Sequence, residues 1–363
     1  MDIQAERVRE QITSILTAWG MDAALIPITA EVMLDTDLAG IDSHGISMLM
    51  LYEKLKNEGR LNLRATPTVV RETPVTALID AHAGLGHPAA VQAMELAIAK
   101  AEMAGVSVVS VCNSNHFGAT GYYAAMAARQ GLIGLVTSTT PTVTVVPTYG
   151  ARPMLGTNPL AFAAPARRNR PFVLDMSTST VAANKVKVYD LNAKPLPAGW
   201  VLDEHGETIT DAARAMDYIF ERDVGGLTPL GGTVDMSSHK GYGLSVMVQI
   251  LAATLSGGAF SPSHKKAHGT NTPDNLGHFF MAIDPVAFRP EGDFEDDLDH
   301  IIDELHATPA SAPEHPVLVA GDPEAAMRER RSTAGIPLPQ ALLDKIRAIA
   351  ERCNVPFVLN SAP

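Results

Sequence analysis

The chain has 363 residues, 46% of them apolar and 19% charged, with a formal net charge of -12 and two cysteines. That length supports two or three domains, or one large domain with insertions, and the apolar content supplies real cores without disulfide staples. The acidic balance argues against nucleic acid as a partner, because phosphate neutralisation needs clustered Lys and Arg. Cys112 and Cys353, with no Cys-x-x-Cys pair, fit a reducing, cytoplasmic setting, and neither an export leader nor a membrane span is signalled.

Val8, Ile12, Leu16 and Trp19 recur at spacings of three and four, which predicts an amphipathic helix over 5–19 closed by Gly20. Pro27 suits the first turn of a second helix reaching about Ala39. After Gly40-Ile41-Asp42-Ser43-His44-Gly45, the apolar residues Met48, Leu49, Leu51, Tyr52 and Leu55 predict a third helix ending near Gly59. Asp42, Ser43 and His44 then stand at its start, either as caps or as functional groups.

Residues 75–111 have the outline of a dinucleotide fingerprint: a strand over 75–79, Gly84-Leu85-Gly86-His87-Pro88-Ala89 as G-x-G-x-x-A, and a helix over 90–104. The details disagree with it. The glycines sit beyond the strand, Pro88 occupies the loop, and the next strand ends in Val111-Cys112-Asn113 without an acid to hold a ribose. A glycine turn before a packing helix fits better.

The β-branched run 106–111 predicts a buried strand and 121–129 an Ala-rich helix, so Asn113–Thr120 is a strand-to-helix turn. Backbone N–H groups at such a helix start, beside His116, suit an anionic ligand and a proton transfer; polar residues that only cap the helix are the alternative. Residues 132–137 are a further strand, Gly156-Thr157-Asn158-Pro159 a turn before a strand at 160–163, and 172–179 a strand running into Ser177, Thr178 and Ser179. Residues 190–215 read as an irregular surface excursion.

Pro229-Leu230-Gly231-Gly232 precedes Ser238-His239-Lys240-Gly241-Tyr242-Gly243, which leads into an almost wholly apolar helix over 244–255. A helix apolar all round is buried, so its start carries His239 and Lys240 to an interior or interface position, where the lysine requires an anion. The acidic run 291–299 begins a solvated helix with Leu298, Ile301, Ile302 and Leu305 facing inward, 317–324 reads as strand then turn, and a last helix covers 339–352. Arg328, Arg330 and Arg331 can pair with a phosphate or with the acidic surface.

His264 and His268 lie four apart, but in a polar loop without the glutamate of a metalloprotease pattern, so no metal is expected. Serine hydrolysis lacks its G-x-S-x-G. What remains is a set of glycine, histidine and hydroxyl-bearing turns with one interior lysine, suited to a phosphorylated cofactor beside an imidazole acid/base.

Asp42-Ser43-His44-Gly45, Ser114-Asn115-His116-Phe117-Gly118, Gly156-Thr157-Asn158-Pro159, Asp175-Met176-Ser177, Pro229 to Gly232 with His239 to Gly243, and Gly277-His278-Phe279-Phe280 occur in this order. In them the chain, from about residue 5 to 350, resembles the type 2 malate/L-lactate dehydrogenase family. That family also includes ureidoglycolate and sulfolactate dehydrogenases and piperideine-2-carboxylate reductases.

The resemblance implies an α/β (α+β) protein with a non-Rossmann fold: a largely antiparallel sheet domain, 73–290, that binds NAD or NADP, and a helical domain built from 1–72 and 291–363. It also implies a homodimer with active sites at the interface. By the same resemblance Ser43 and His44 match the catalytic pair, with His116 the second candidate for proton transfer. His116, Phe117, Gly118, Ala119 and Thr120 match a cofactor turn, and Asp175, Met176, Ser177, Leu230, Gly231, His239, Lys240, Gly321, Glu324 and Arg328 fall in further cofactor segments. Thr157 matches a substrate contact.

Two departures bear on the substrate. Many members carry an arginine where this chain has Met48, so Arg152 or another cation must clamp a substrate carboxylate, or the substrate differs. The reductase branch has an aspartate where this chain has Lys185. These leave a small 2-hydroxy/2-oxo acid ahead, with an imino acid or ureidoglycolate/sulfolactate as alternatives and a degenerate nucleotide-binding protein as the non-enzymatic one.

Overall fold

A computed structural model describes residues 1–269, 271–312 and 314–360. The chain forms two compact units: Met1–Val136, Ala161–Asp175 and Phe280–Pro363 make the first, Thr137–Leu160 and Met176–Phe279 the second. This division cuts across the partition expected at 72/73 and 290/291. The reason is a shared core: Val32, from the helix Ile26–Leu38, is buried in one cluster with Ile79 and Val109 of the sheet and Ala93 and Tyr123 of its covering helices.

In the first unit, the helices Ala5–Ala18, Ile26–Leu38 and Leu49–Asn57 and the C-terminal helix Gln340–Arg352 bury Val8, Ile12, Leu16, Met33, Tyr52, Leu343, Ile346 and Ile349 together. The two ends of the chain thus share one apolar core. Asp2–Ile3 pairs antiparallel with Ile336–Pro337 and fastens those ends.

A mostly antiparallel seven-stranded sheet runs in the order Thr68–Glu72, Thr76–Asp80, Val106–Ser114, Leu276–Ile283, Ile133–Ser138, Leu160–Ala164 and Phe172–Met176. Thr76–Asp80 is parallel to Val106–Ser114 and linked to it by the helix Gly86–Ala104. Ala89, Ala93 and Ala97 of that helix, with Ala124 and Ala127 of the helix Thr120–Arg129, are fully buried, because methyl-sized side chains let the helices lie close on the branched strand residues.

The second unit has its own core of Val145, Leu155, Val181, Val186, Val201, Ile209, Ala215, Tyr218 and Leu227. Residues 190–215 are therefore no surface excursion: Leu196, Val201, Ile209 and Ala212 are buried there. Short strands and turns place these apolar residues at uneven intervals, so they carry no period to read.

The apolar helix begins earlier than expected, at Ser238, runs to Gln249 and continues as the π-helical turn Ile250–Thr254. It is not buried all round: Met247, Ile250 and Leu255 are exposed, and His239 and Lys240 at its start are exposed as well, which removes the interior placement and leaves the interface one of the two expected for them.

Three smaller expectations also change. Residues 261–268 are a helix rather than a loop, and 317–321 carry no strand. In the helix Asp293–His306, Ile302 faces inward while Ile301 and Leu305 are exposed. Asp299 turns it that way, since its buried carboxylate accepts the Arg168 and Asn169 N–H groups at 2.8 and 2.9 Å. Among the described residues no helix is long and apolar enough to cross a membrane.

Candidate active site

After the helix Ile26–Leu38 the chain reverses through Gly40, at φ +84°, into the 3-10 turn Ile46–Met48. Neither Asp42 nor Ser43 caps that turn. The N–H of Ile46 is accepted instead by Asp37 Oδ2 at 2.8 Å, which leaves Ser43 and His44 for each other: Ser43 Oγ lies 2.7 Å from His44 Nδ1. Burial pushes the His44 imidazole below its ordinary range, so it is neutral at physiological pH. In the tautomer that donates Nδ1–H to Ser43, Nε2 carries the lone pair that can take a proton.

The His44 ring stacks on His116, with centroids 5.3 Å apart. His116 leaves the end of the strand Val106–Ser114, and its Nδ1 accepts the Gly118 N–H at 3.3 Å and stands 2.8 Å from Tyr52 Oη. A backbone N–H can only donate, so neutral His116 carries its proton on Nε2. The same Tyr52 hydroxyl lies 3.4 Å from Nε2 of the buried His87, and burial raises the phenol well above its ordinary range, which keeps it protonated.

The glycines of the apparent fingerprint pack against this turn. Gly86 N–H donates to His116 O at 3.0 Å, and Asn115 Nδ2 donates to Ala83 O and Gly84 O at 2.9 and 3.2 Å. A Cβ on Gly86 would stand 2.4 Å from Asn115 O and 2.6 Å from Phe117 Cβ, so only glycine permits the approach.

The far end of the turn lines a cavity of about 320 Å³, within the range of small-molecule sites. Ala39, Ile41, Ala119, Tyr122 and Val173 form its apolar walls, and Asp175, Glu324 and Arg328 add charge. Gly321 lines it as well. Asp175 Oδ2 accepts the Gly121 N–H at 2.7 Å, so the helix-start amide expected to meet an anionic ligand is already engaged. Burial raises the Asp175 carboxyl to about 6 against the pull of that N–H, with Glu324 adding repulsion. Arg328 forks onto Asp35, Nε to Oδ1 at 3.0 Å and Nη2 to Oδ2 at 2.9 Å, and Arg331 pairs with Asp42; both arginines thus meet acids of their own chain.

In the second unit, Thr157 O accepts the Thr178 N–H at 2.9 Å, and Thr178 O accepts the Leu230 N–H at 2.9 Å. The turn containing Thr157, the segment containing Met176 and Ser177, and the turn Leu230-Gly231 therefore converge. Around them Thr140 Oγ1, Asn158 Oδ1 and Ser245 Oγ are buried without a hydrogen-bond partner among the described residues, and Asn158 sits at φ +35°. Buried oxygens in that state fit the donors of a bound polar group. Thr140 and Ser245 escaped the sequence reading because a single hydroxyl in a Thr-rich loop or an apolar helix carries no pattern.

Arg152 is exposed and 3.9 Å from Asp223, Lys185 is exposed over the Trp200 ring, and Met48 packs against the helical core of the first unit. Tyr52, His87, Asp35 and Asp37 were also missed. The aspartates did leave a signal: two acids near the C-terminal end of a helix, where the dipole disfavours negative charge, call for cations. Arg328 and Arg331 supply them.

The sequence profile described as malate/L-lactate dehydrogenase matches residues 3–347. The chain is 38% identical over 346 residues to a malate dehydrogenase of Pyrococcus abyssi, covering 95% of this chain and 92% of that one. It is 37% identical to an L-sulfolactate dehydrogenase of Methanothermobacter thermautotrophicus, covering 98% of each. The crystal structure of malate dehydrogenase from Entamoeba histolytica superposes with a TM-score of 0.92 at 30% identity, covering 98% of this chain and 99% of that one. With its serine-histidine pair, its stacked second histidine and its ordered motifs matched over nearly the whole length, the chain belongs to the malate/L-lactate dehydrogenase family.

Proposed function

We propose that this chain, a dehydrogenase acting on CH–OH groups, interconverts a small 2-hydroxy acid and its 2-oxo acid with NAD or NADP, and that His44 is its acid/base. One observation carries the reading: a single turn, 116–121, begins at the imidazole stacked on His44 and ends in the wall of the nucleoside-sized cavity. When bound, NAD or NADP supplies the hydride acceptor or donor. His44, oriented by Ser43, takes the hydroxyl proton during oxidation and returns it to the carbonyl oxygen in reduction. Its depressed basicity suits it to be free base near neutrality, and His116 limits its movement by stacking.

Asp175 and Glu324 in the cavity are suited to accept hydrogen bonds from ribose hydroxyls, while Ala119, Ile41 and Val173 provide apolar contact for a base. In the second unit the unpartnered oxygens of Thr140, Asn158 and Ser245 fit a carboxamide or a substrate hydroxyl. Three coarser properties go with this reading. The filled glycine loop supports a non-Rossmann cofactor site. The exposed apolar residues Met247, Ile250 and Leu255 support a homodimer, and the two free cysteines support a reducing cytoplasm.

The test is NADH and NADPH oxidation with pyruvate, oxaloacetate, phenylpyruvate, 3-sulfopyruvate and cyclic imino acids, run beside direct titration of nucleotide binding. Turnover of a 2-oxo acid, abolished by His44→Ala with nucleotide binding intact, is the expected result. Nucleotide binding without turnover of any of these would move the reading to a degenerate nucleotide-binding protein.

A further inference from the structure

The loop that carries Ser43 and His44 is tied down at two points by groups to which the chemistry assigns no role. At its far end, Asp37 lies beneath Gly45 and Ile46: the carboxylate accepts the Ile46 N–H at 2.8 Å, and a Cβ on Gly45 would fall 1.9 Å from Asp37 Oδ1. Asp37 is 1% exposed. At the near end, Arg331 reaches from the helix Asp322–Ala334, donates to Asp37 O at 2.6 Å and forks onto the Asp42 carboxylate. Arg331 is 6% exposed, and its Nε has no partner among the described residues, so burying it is costly and needs a return.

We propose that Asp37 and Arg331 are positioning residues that clamp the Asp42–Ile46 loop and so hold the His44 imidazole against His116. The inference rests on His44 being the acid/base. The chain from clamp to imidazole is short and rigid. Asp42 and Ile46 flank Ser43-His44-Gly45, Gly45 has no side chain to hold the carboxylate off, and the His44 N–H is accepted by Ile41 O at 2.9 Å. A loop fastened on both sides leaves the ring little freedom except to pivot at Cβ, and there the contacts to Ser43 and His116 stop it. The groups facing Asp37 are Asp42, Arg331 and the Ile46 amide; those facing His44 are Ser43 and His116.

Loss of such positioning lowers turnover without a matching loss of ligand affinity. Asp37→Ala should lower kcat by about tenfold to a hundredfold with KM changed by no more than about threefold. It should also move the His44 titration, followed by NMR of labelled histidine and identified by its absence in His44→Ala, upward toward the ordinary histidine value as water enters. Asp37→Asn keeps an oxygen to accept the Ile46 N–H and should recover most of the loss. Asp42→Ala removes only the solvent-facing partner of Arg331, leaves the core alone, and should show a smaller loss with the same upward movement.

Circular dichroism and thermal melting establish that each variant is folded, and if Asp37→Ala fails to fold, Asp42→Ala decides. Wild-type kcat and wild-type His44 titration in folded Asp37→Ala or Asp42→Ala would overturn the clamp, as would equal losses in Asp37→Asn and Asp37→Ala. His44→Ala with near-normal turnover would instead sink the acid/base reading, and the NMR titration would still report whether the loop is held.

Discussion

Tyr52 ties the second histidine to the interior: its hydroxyl serves His116 Nδ1 at 2.8 Å and His87 Nε2 at 3.4 Å while the ring lies in the helical core. Tyr52→Phe keeps the packing and removes both contacts. It should destabilise the protein by about 1–3 kcal/mol in urea unfolding and weaken nucleotide binding through the 116–121 turn. His116→Ala should likewise weaken nucleotide affinity, and with His44 as the proposed acid/base the pH dependence of turnover should keep its single ionisation while its midpoint moves upward, because removing the stacked ring lets water reach the His44 imidazole. With the His44 imidazole held below its ordinary range, the rate of hydroxy acid oxidation should rise with pH through a midpoint below 6.5 and then level off, measured as kcat/KM against pH. A midpoint above the ordinary histidine value would contradict the burial that sets it.

At the scale of elements, the unit running from the strand Thr76–Asp80 through the helix Gly86–Ala104 to the strand Val106–Ser114 has the outline of a nucleotide site and supports the turn that leads into the cavity. Its glycine loop is filled by Asn115 and by the carbonyl of His116, and the cavity lies at the end of the next turn. Gly86→Ala separates these meanings. The added Cβ must push Asn115 and Phe117 away, so the substitution should cost about 1–3 kcal/mol in unfolding and disturb His116 together with Ala119 and Gly121. If glycine served only as a flexible turn, the variant would unfold like wild type; Gly86 has no positive φ that would need glycine for its own sake. The helices Ala5–Ala18 and Gln340–Arg352 bury residues three and four apart, which made the first legible as a stripe, whereas Ile26–Leu38 is buried on most sides and was marked by Pro27 in its first turn. The second unit was not legible, since its short helices and two-residue strands take their positions from a core assembled across the chain.

For the molecule as a whole, burial sets two carboxyls against the general trend. Asp37 rises to about 7 and Asp175 to about 6 from 3.8, so each contributes stability fully present below 3.8 and lost as pH rises through its folded value. Asp299 and Asp322, held low by N–H donors and nearby cations despite the opposing effect of burial, act the other way and contribute only above the point where they protonate. The thermal midpoint of Asp37→Asn, measured relative to wild type, should therefore climb between pH 5 and pH 8. A constant difference across that range would show that the Asp37 carboxyl titrates at its ordinary value. Both carboxyls lie beside the candidate site, one under the His44 loop and one in the cavity wall, so the stability that their ionisation removes is lost where the chemistry is placed.

The sequence by itself determined the family, the helices of both chain ends, the strand-to-helix turn at 113–120 and the adjacency of Ser43 and His44. Each of these is written in local spacing or in a contiguous motif, which the order of residues preserves. Only the tertiary structure decided that Arg331 meets Asp42 across 289 positions and that Arg328 meets Asp35 across 293. It also showed the fingerprint glycines to be packing residues, and His239 and Lys240 to be exposed in the single chain, which leaves only the interface alternative for them. Those outcomes depend on which surfaces come together and what they desolvate. A charge two helices away has no spacing in the chain, and a helix apolar on every side does not say which of its faces will be covered.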